Sequence, residues 1–338
     1  MKRILVVNVN WMGDVIFSLP IFKTLKARYP QSLIACMAPP RVKAILDNAP
    51  FIDQVIVYDE DKMHRSVAAK IKFIGQLKKQ NFDIAFLLHR SLTRSFLVFL
   101  AGIPERVGYP TKAKGMFLTH KVPSLSEPIH RSDYYLHTIE SYGVPVSDRR
   151  NELQISTEAV DQMNGFLARY DIFPIDYLIV IHPGGNWNLK QWPPENFARL
   201  IDAILVDSSV KVVIAGGAQD RKASDAISRL TKKDPVVLTA NLTLIQLMAL
   251  MKRADLVVSA DSGPLHLAAS LGTKTIGLFG PTRPEITGPR GVTPSVVLQK
   301  DVGCNRRACY HLSCPDNICM QSVTVKDAID AIHQIRSS

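Results

Sequence analysis

Short runs rich in Val, Ile and Leu alternate along this chain with amphipathic segments of helix length, and the cycle restarts after Asn151. Continuous apolar runs suit strands covered on both faces, the condition of a parallel sheet with crossover helices. The first half reads as strands at 4–7, 33–37, 54–57 and 84–88, with helices from about Val15 and at 67–79. The second reads as strands at 177–181, 210–215, 236–238, 256–260 and 275–279, with helices beginning near Glu158, Pro194, Asp220, Leu244 and Pro264. The fold class is therefore α/β, two similar lobes in tandem, and a length of 338 residues suits two domains better than one. The boundaries expected are 1–156 and 157–322, followed by a C-terminal helical piece at 323–338 to which packing back on the first lobe is open.

The opening Met1-Lys2-Arg3 leads into an apolar run that Asn8 and Asn10 interrupt, so it reads as a strand and not as an export signal. No stretch approaches the roughly 18 apolar residues that cross a bilayer. A soluble, cytoplasmic protein with at most peripheral membrane contact is expected. Lys and Arg number 41 against 30 Asp and Glu, a net charge of +11. That excess favours an anionic partner, whether a phosphorylated lipid, a nucleic acid or an acidic leaflet, and does not choose among them. A generally basic surface with no such partner accounts for it equally well.

In open α/β sheets ligands bind beyond the carboxyl ends of the strands, and the candidate motifs all fall there. The first strand runs into Asn8-Val9-Asn10-Trp11-Met12-Gly13-Asp14. Gly13 permits close backbone approach and Asp14 places a carboxylate at the turn, although Asp is also a favoured helix cap. The second lobe opens with His182-Pro183-Gly184-Gly185-Asn186-Trp187-Asn188-Leu189-Lys190-Gln191-Trp192. Small residues with free backbone N–H groups and one Lys are what a diphosphate needs, yet an ordinary turn and a solvated Lys190 fit the same letters. Asp261-Ser262-Gly263-Pro264-Leu265-His266 is again a strand end running into a helix start, where exposed N–H groups attract an anion. No G-x-G-x-x-G and no G-x-S-x-G occurs, which removes support from a dinucleotide oxidoreductase and from an α/β-hydrolase.

Taken in order, Trp11-Met12-Gly13-Asp14, the Pro183-Gly184-Gly185 turn with Lys190 and Trp192-Pro193, and Asp261 to Ala269 with Phe279-Gly280-Pro281-Thr282 resemble the bacterial heptosyltransferases of glycosyltransferase family nine. The likeness runs over nearly the whole chain. The first lobe, with Trp11, Leu25 to Gln31 and Ala101-Gly102-Ile103-Pro104, is most similar to the lipopolysaccharide heptosyltransferase II branch. The resemblance implies two Rossmann-like domains facing across a cleft, the glycosyltransferase B architecture. It also implies inverting, metal-independent transfer of heptose from ADP-heptose to a lipopolysaccharide inner core of the heptosyl-Kdo-lipid A type. No cofactor is then required, no nucleic acid is bound, and contact with the inner membrane is peripheral. Carried over by motif, Asp14 is the general base. Gly185, Asn186, Lys190, Asp261, Ser262, Gly263 and His266 fall on the donor side. Asp220 is placed on the donor ribose, where the family often has a Glu that this chain lacks. Gly13, Arg90 and Arg94 fall on the acceptor side, where a solvated basic helix start is the other reading of the two arginines.

Cys304, Cys309, Cys314 and Cys319 recur at every fifth residue with His311 among them. Four thiolates make a closed structural zinc set, but this spacing is not the usual paired one. Two rivals to a glycosyltransferase remain, a non-catalytic nucleotide-sugar binding protein and a two-lobed nucleotide-sugar epimerase. ADP release with and without acceptor separates the three.

Overall fold

Every strand expected from the apolar runs forms, and each pairs in parallel with its neighbours. The structure, a computed structural model, describes residues 1–111, 113–304, 309 and 314–337. It divides into two compact units, Met1–Glu152 and Leu153–Ser338.

In the first unit the strands are β1 (Arg3–Val7), β2 (Leu33–Ala38), β3 (Gln54–Val57), β4 (Ile84–Leu87), β5 (Glu105–Gly108) and β6 (His120–Lys121). They stand in the order β3-β2-β1-β4-β5-β6. The helices are α1 (Met12–Phe17), α2 (Leu19–Arg28), α3 (Lys43–Asp47), α4 (Val67–Lys78), α5 (Leu92–Leu100) and α6 (Arg131–Glu140). Phe73 and Leu77 of α4 and Leu97 and Val98 of α5 share one core with Leu5, Val7, Ala85 and Leu87, so both helices cover the same sheet face. The order of strands reverses between β1 and β4, which is where a sheet of this kind opens a crevice for ligand.

In the second unit α7 (Thr157–Leu167) comes first, its start capped by the Ser156 hydroxyl, which accepts from the Ala159 N–H at 3.2 Å. The strands β7 (Tyr177–His182), β8 (Val210–Ile214), β9 (Val236–Val237), β10 (Leu256–Ala260), β11 (Lys274–Leu278) and β12 (Ser295–Leu298) form the sheet β12-β11-β10-β7-β8-β9. Its helices continue as α8 (Pro194–Ile204), α9 (Arg221–Leu230), α10 (Leu244–Arg253), α11 (Gly263–Ser270), α12 (Pro284–Thr287), α13 (Ile318–Gln321) and α14 (Val325–Ser337). Here the order reverses between β7 and β10.

The short strands β5, β6 and β12 and the helices α3 and α6 are not legible in the apolar pattern. β5 begins with Glu105 and Arg106, and β6 is His120-Lys121, so neither carries an apolar run to read. The C-terminal helix belongs to the second unit. Ala328, Ala331, Ile332 and Ile335 of α14 sit in the core of that unit with Phe197, Leu200 and Ile276. Cys36 is a core residue of β2, and burial pushes its thiol up to about 12 despite a hydrogen bond from Asn8. Among the described residues no helix is long and apolar enough to cross a membrane.

Candidate functional site

In the first unit the segment after β1 does not use Asp14 as a cap. Trp11 is the N-cap of α1, and Asp14 lies within the first turn, just after Gly13. One carboxylate oxygen, Oδ1, accepts from the Tyr135 hydroxyl at 2.8 Å and lies 3.7 Å from Arg131 Nε. The Asp14 side chain is about one-third exposed, at 32%. Tyr135 is buried, and that burial, the Asp14 charge and the shared hydrogen bond together raise its phenol well above the ordinary range, so it stays a donor. Arg131, Tyr134 and Tyr135 were missed in the sequence. Their spacing along α6 is the signal, since positions 131, 134 and 135 share one face of a helix.

Arg90 and Arg94 separate sharply. Arg90 is exposed and donates to the Tyr134 hydroxyl at 2.8 Å, while Arg131 also lies over that ring at 5.8 Å. Arg94 is 1% exposed, donates to the Asn8 carbonyl at 3.0 Å across the switch point and pairs with Glu60 at 2.9 Å. Its charge is met by Glu60 and not left free at the surface. Arg94 instead lines a cavity of about 270 Å³ with Asn10, Arg41, Tyr58, Asp59 and Glu60. Asn10 Oδ1, the Tyr58 hydroxyl and Arg94 Nε are buried there without a hydrogen-bond partner among the described residues. Lys114, also fully buried, donates to the Leu87 and His89 carbonyls at 3.3 and 3.0 Å and fixes the end of β4. Burial, with Arg90 nearby, pushes its ammonium down to about 8.

One D-x-D triplet is present, Asp59-Glu60-Asp61. Its first carboxylate accepts from the backbone N–H groups of Asp61 and Lys62, and its Glu is the partner of Arg94.

In the second unit the ends of β7, β8 and β10 come together because those strands are neighbours. Lys190 donates to Asp261 Oδ2 at 2.8 Å, and His266 Nε2 lies 3.4 Å from Oδ1. Thr287 adds a third hydrogen bond at 3.2 Å. Asp261 is only 3% exposed. Burial opposes its charge, but the His266 hydrogen bond and the Lys190 ammonium win and hold the carboxyl well below its usual range. Lys190 also lies over the Trp187 ring at 4.9 Å, whereas Trp192 is a core residue whose indole donates to the Val323 carbonyl.

Ser262 is the N-cap of α11, yet its hydroxyl makes no cap. It turns to His182 Nδ1 at 3.2 Å and Ser259 Oγ at 3.0 Å. The start of α11 at Gly263 therefore presents its positive end without a side-chain acceptor on it, a ready place for phosphate. Gly185 and Asn186 lie at the surface of the preceding turn, Gly185 half-buried and Asn186 exposed.

Asp220 is buried, not presented. Its carboxylate accepts from the Gly217 N–H at 2.8 Å and faces His182 Nε2 at 3.3 Å. Burial opposes its charge, yet His182 and the Gly217 N–H outweigh that and lower its pKa. Asp220 thus ties the turns after β7 and β8 together, and Gln219, next to it, is an exposed side chain. Gly184 explains why. A Cβ there would meet Asp220 Oδ1 at 1.8 Å, so the residue is glycine for space and not for a positive φ. Gly184→Ala is expected to lower stability by about 1–3 kcal/mol, read from denaturant unfolding, because the added methyl displaces Asp220 from His182 and the Gly217 N–H. An unchanged midpoint would remove the close approach as the reason for this glycine.

Cys304, Cys314 and Cys319 are free thiols, and burial raises that of Cys319 with Cys314 and Cys304 contributing. His311 lies outside the described residues. Among the described residues no three His, Cys, Asp or Glu side chains are grouped so as to hold a metal ion.

Residues 70–314 match glycosyltransferase family 9 (heptosyltransferase). The chain is 26% identical over 300 residues to lipopolysaccharide heptosyltransferase 2 of Escherichia coli strain K12, covering 85% of each chain. The glycosyl transferase family 9 structure from Veillonella parvula superposes with a TM-score of 0.88 at 26% identity, over 99% of this chain and 97% of that one. The ADP-heptose lps heptosyltransferase II of E. coli has the same fold, with a TM-score of 0.82 at 24% identity over 99% and 98%. With the family matched across most of its length, this chain belongs to glycosyltransferase family 9, the heptosyltransferases.

Proposed function

We propose that the protein transfers a heptose from ADP-heptose to a lipopolysaccharide inner core, with inversion and without a divalent metal. The observation that carries this reading is Asp14: a carboxylate released from capping, gripped at one oxygen by Tyr135 and partly open to solvent. As the acceptor oxygen bonds to the anomeric carbon, the bond to the β-phosphate oxygen breaks and the acceptor proton passes to Asp14. A carboxylate is a weak base toward an alcohol, so proton transfer comes late and contributes only part of the acceleration. The larger part falls to stabilising the charge on departing ADP. The start of α11 at Ser262 and Gly263, with Lys190, supplies that stabilisation, and Asp261 and His266 set the ammonium in place.

On the acceptor side, Arg90 and Arg131 are the cations available to carboxylates or phosphates of the inner core. The cavity beside Arg94 is charge-balanced, and its unspent donors and acceptor suit sugar hydroxyls better than a phosphate. The relatives named above support the choice of donor and acceptor class.

The test is ADP release from ADP-heptose in EDTA, with and without a heptosyl-Kdo-lipid A acceptor. Release that requires the acceptor is expected. Release independent of acceptor, or donor binding with no release, would displace the reading in favour of another acceptor or a binding protein.

A further inference from the structure

We infer that the outer face of α4 and α5 is a docking surface for an anionic lipid bilayer. Residues 62–126 hold twelve Lys and Arg against two acids, Asp83 and Glu105. The rest of the chain holds 29 of the 41 basic and 28 of the 30 acidic residues, so almost the whole net charge of +11 originates in this one segment. The acidic triplet just before it lines the cavity of the first unit, and Glu60 is neutralised by Arg94. Among the described residues, Lys62, Arg65, Lys70, Lys72, Lys78 and Lys79 form no ion pair, so their charge is unspent within the protein.

The same segment exposes apolar side chains that a soluble face would bury. Val67 and Ile71, one turn apart on α4, are 72% and 63% exposed. On α5, Leu92, Phe96, Phe99 and Leu100 recur at helical spacing on the side turned away from the sheet, each more than two-fifths exposed. The opposite sides of both helices are already used, because Phe73, Leu77, Leu97 and Val98 pack on the sheet. Met63 and Met116 of the same segment are also exposed, and Phe117 holds Phe96 and Phe99 by ring contacts at 5.2 and 5.4 Å.

Apolar residues on one side of a helix, flanked by unpaired cations, are the composition of an interfacial helix. Apolar burial sets its depth, and attraction to acidic headgroups sets its preference among membranes. A protein partner of ordinary surface charge would leave these cations uncompensated, and a second copy of this face would bring like charges together. The inference rests in part on the proposed function, since a lipid-linked acceptor lies in a bilayer.

Flotation of the full chain with phosphatidylcholine vesicles, with and without about a third phosphatidylglycerol, tests it. Binding is expected to the acidic vesicles only and to weaken with salt. Val67→Ser with Ile71→Ser, and separately Lys70→Glu with Lys72→Glu, should each reduce it by about tenfold or more. Ile175→Ser, at a 94% exposed site of the second unit, should leave it unchanged. No binding to acidic vesicles, equal binding to both compositions, or no effect of either pair would overturn the proposal. So would a concentration-dependent dimer in light scattering that the serine pair abolishes. Transfer to a delipidated, water-soluble core acceptor separates the two readings. It should survive both variant pairs, and its absence in the parent protein would count against the proposed function while leaving vesicle binding to stand or fall alone.

Discussion

Asp14→Asn is expected to lower kcat for heptosyl transfer by about 10²- to 10⁴-fold while changing donor affinity by no more than about twofold. Asparagine keeps the size of the side chain and an oxygen able to accept from Tyr135, so the first turn of α1 and its contact with α6 persist. What disappears is the acceptor for the proton, together with the charge facing Arg131. The elements proposed for the donor belong to the second unit, so the substitution leaves them unchanged. Steady-state kinetics with ADP-heptose and acceptor, beside calorimetric donor titration, reads both quantities. A kcat within about tenfold of the parent would remove Asp14 as the base, and a matching loss of donor affinity would recast it as a binding residue.

Lys190→Met combines a catalytic and a stability effect. Loss of one charge-stabilising group at a leaving phosphate costs on the order of 10²- to 10³-fold in kcat. The variant also leaves Asp261, at 3% exposure, without its ammonium partner, the Thr287 hydroxyl and His266 remaining beside it. Removing one partner of a buried ion pair costs about 3–5 kcal/mol, which denaturant unfolding at pH 7 measures. The pH dependence fixes the cause. The parent carboxyl is held below its unfolded value near 3.9, so the stabilisation is complete above about pH 5 and fades as pH falls through 4 and lower. The gap between parent and variant should therefore narrow below about pH 4. A gap that stays constant with pH would show that lost packing against Trp187, and not the ion pair, is what the variant feels.

Much of this was legible in the chain itself. The runs Ile4–Val7 and Leu256–Ala260 declare strands because a parallel strand buried on both faces must be apolar at successive positions. The glycines, Lys190 and Ser262 to His266 mark the turns proposed for the donor, because close backbone approach and a helix start have few substitutes. The same letters leave open how Asp220 and Arg94 are used. A charged side chain after a strand looks the same in sequence whether it faces a ligand or is folded inward. Only the arrival of His182 and Gly217 at Asp220, and of Glu60 and the Asn8 carbonyl at Arg94, decides it.

The sequence determined the main elements and their parallel pairing, since these follow from local periodicity and from the handedness of crossovers. The tertiary structure alone decided how each ionisable group is spent. Tyr135 reaches Asp14 across 121 residues of chain, and Lys190 reaches Asp261 across 71. Burial and partnership at that range are set by packing, and no local pattern encodes them.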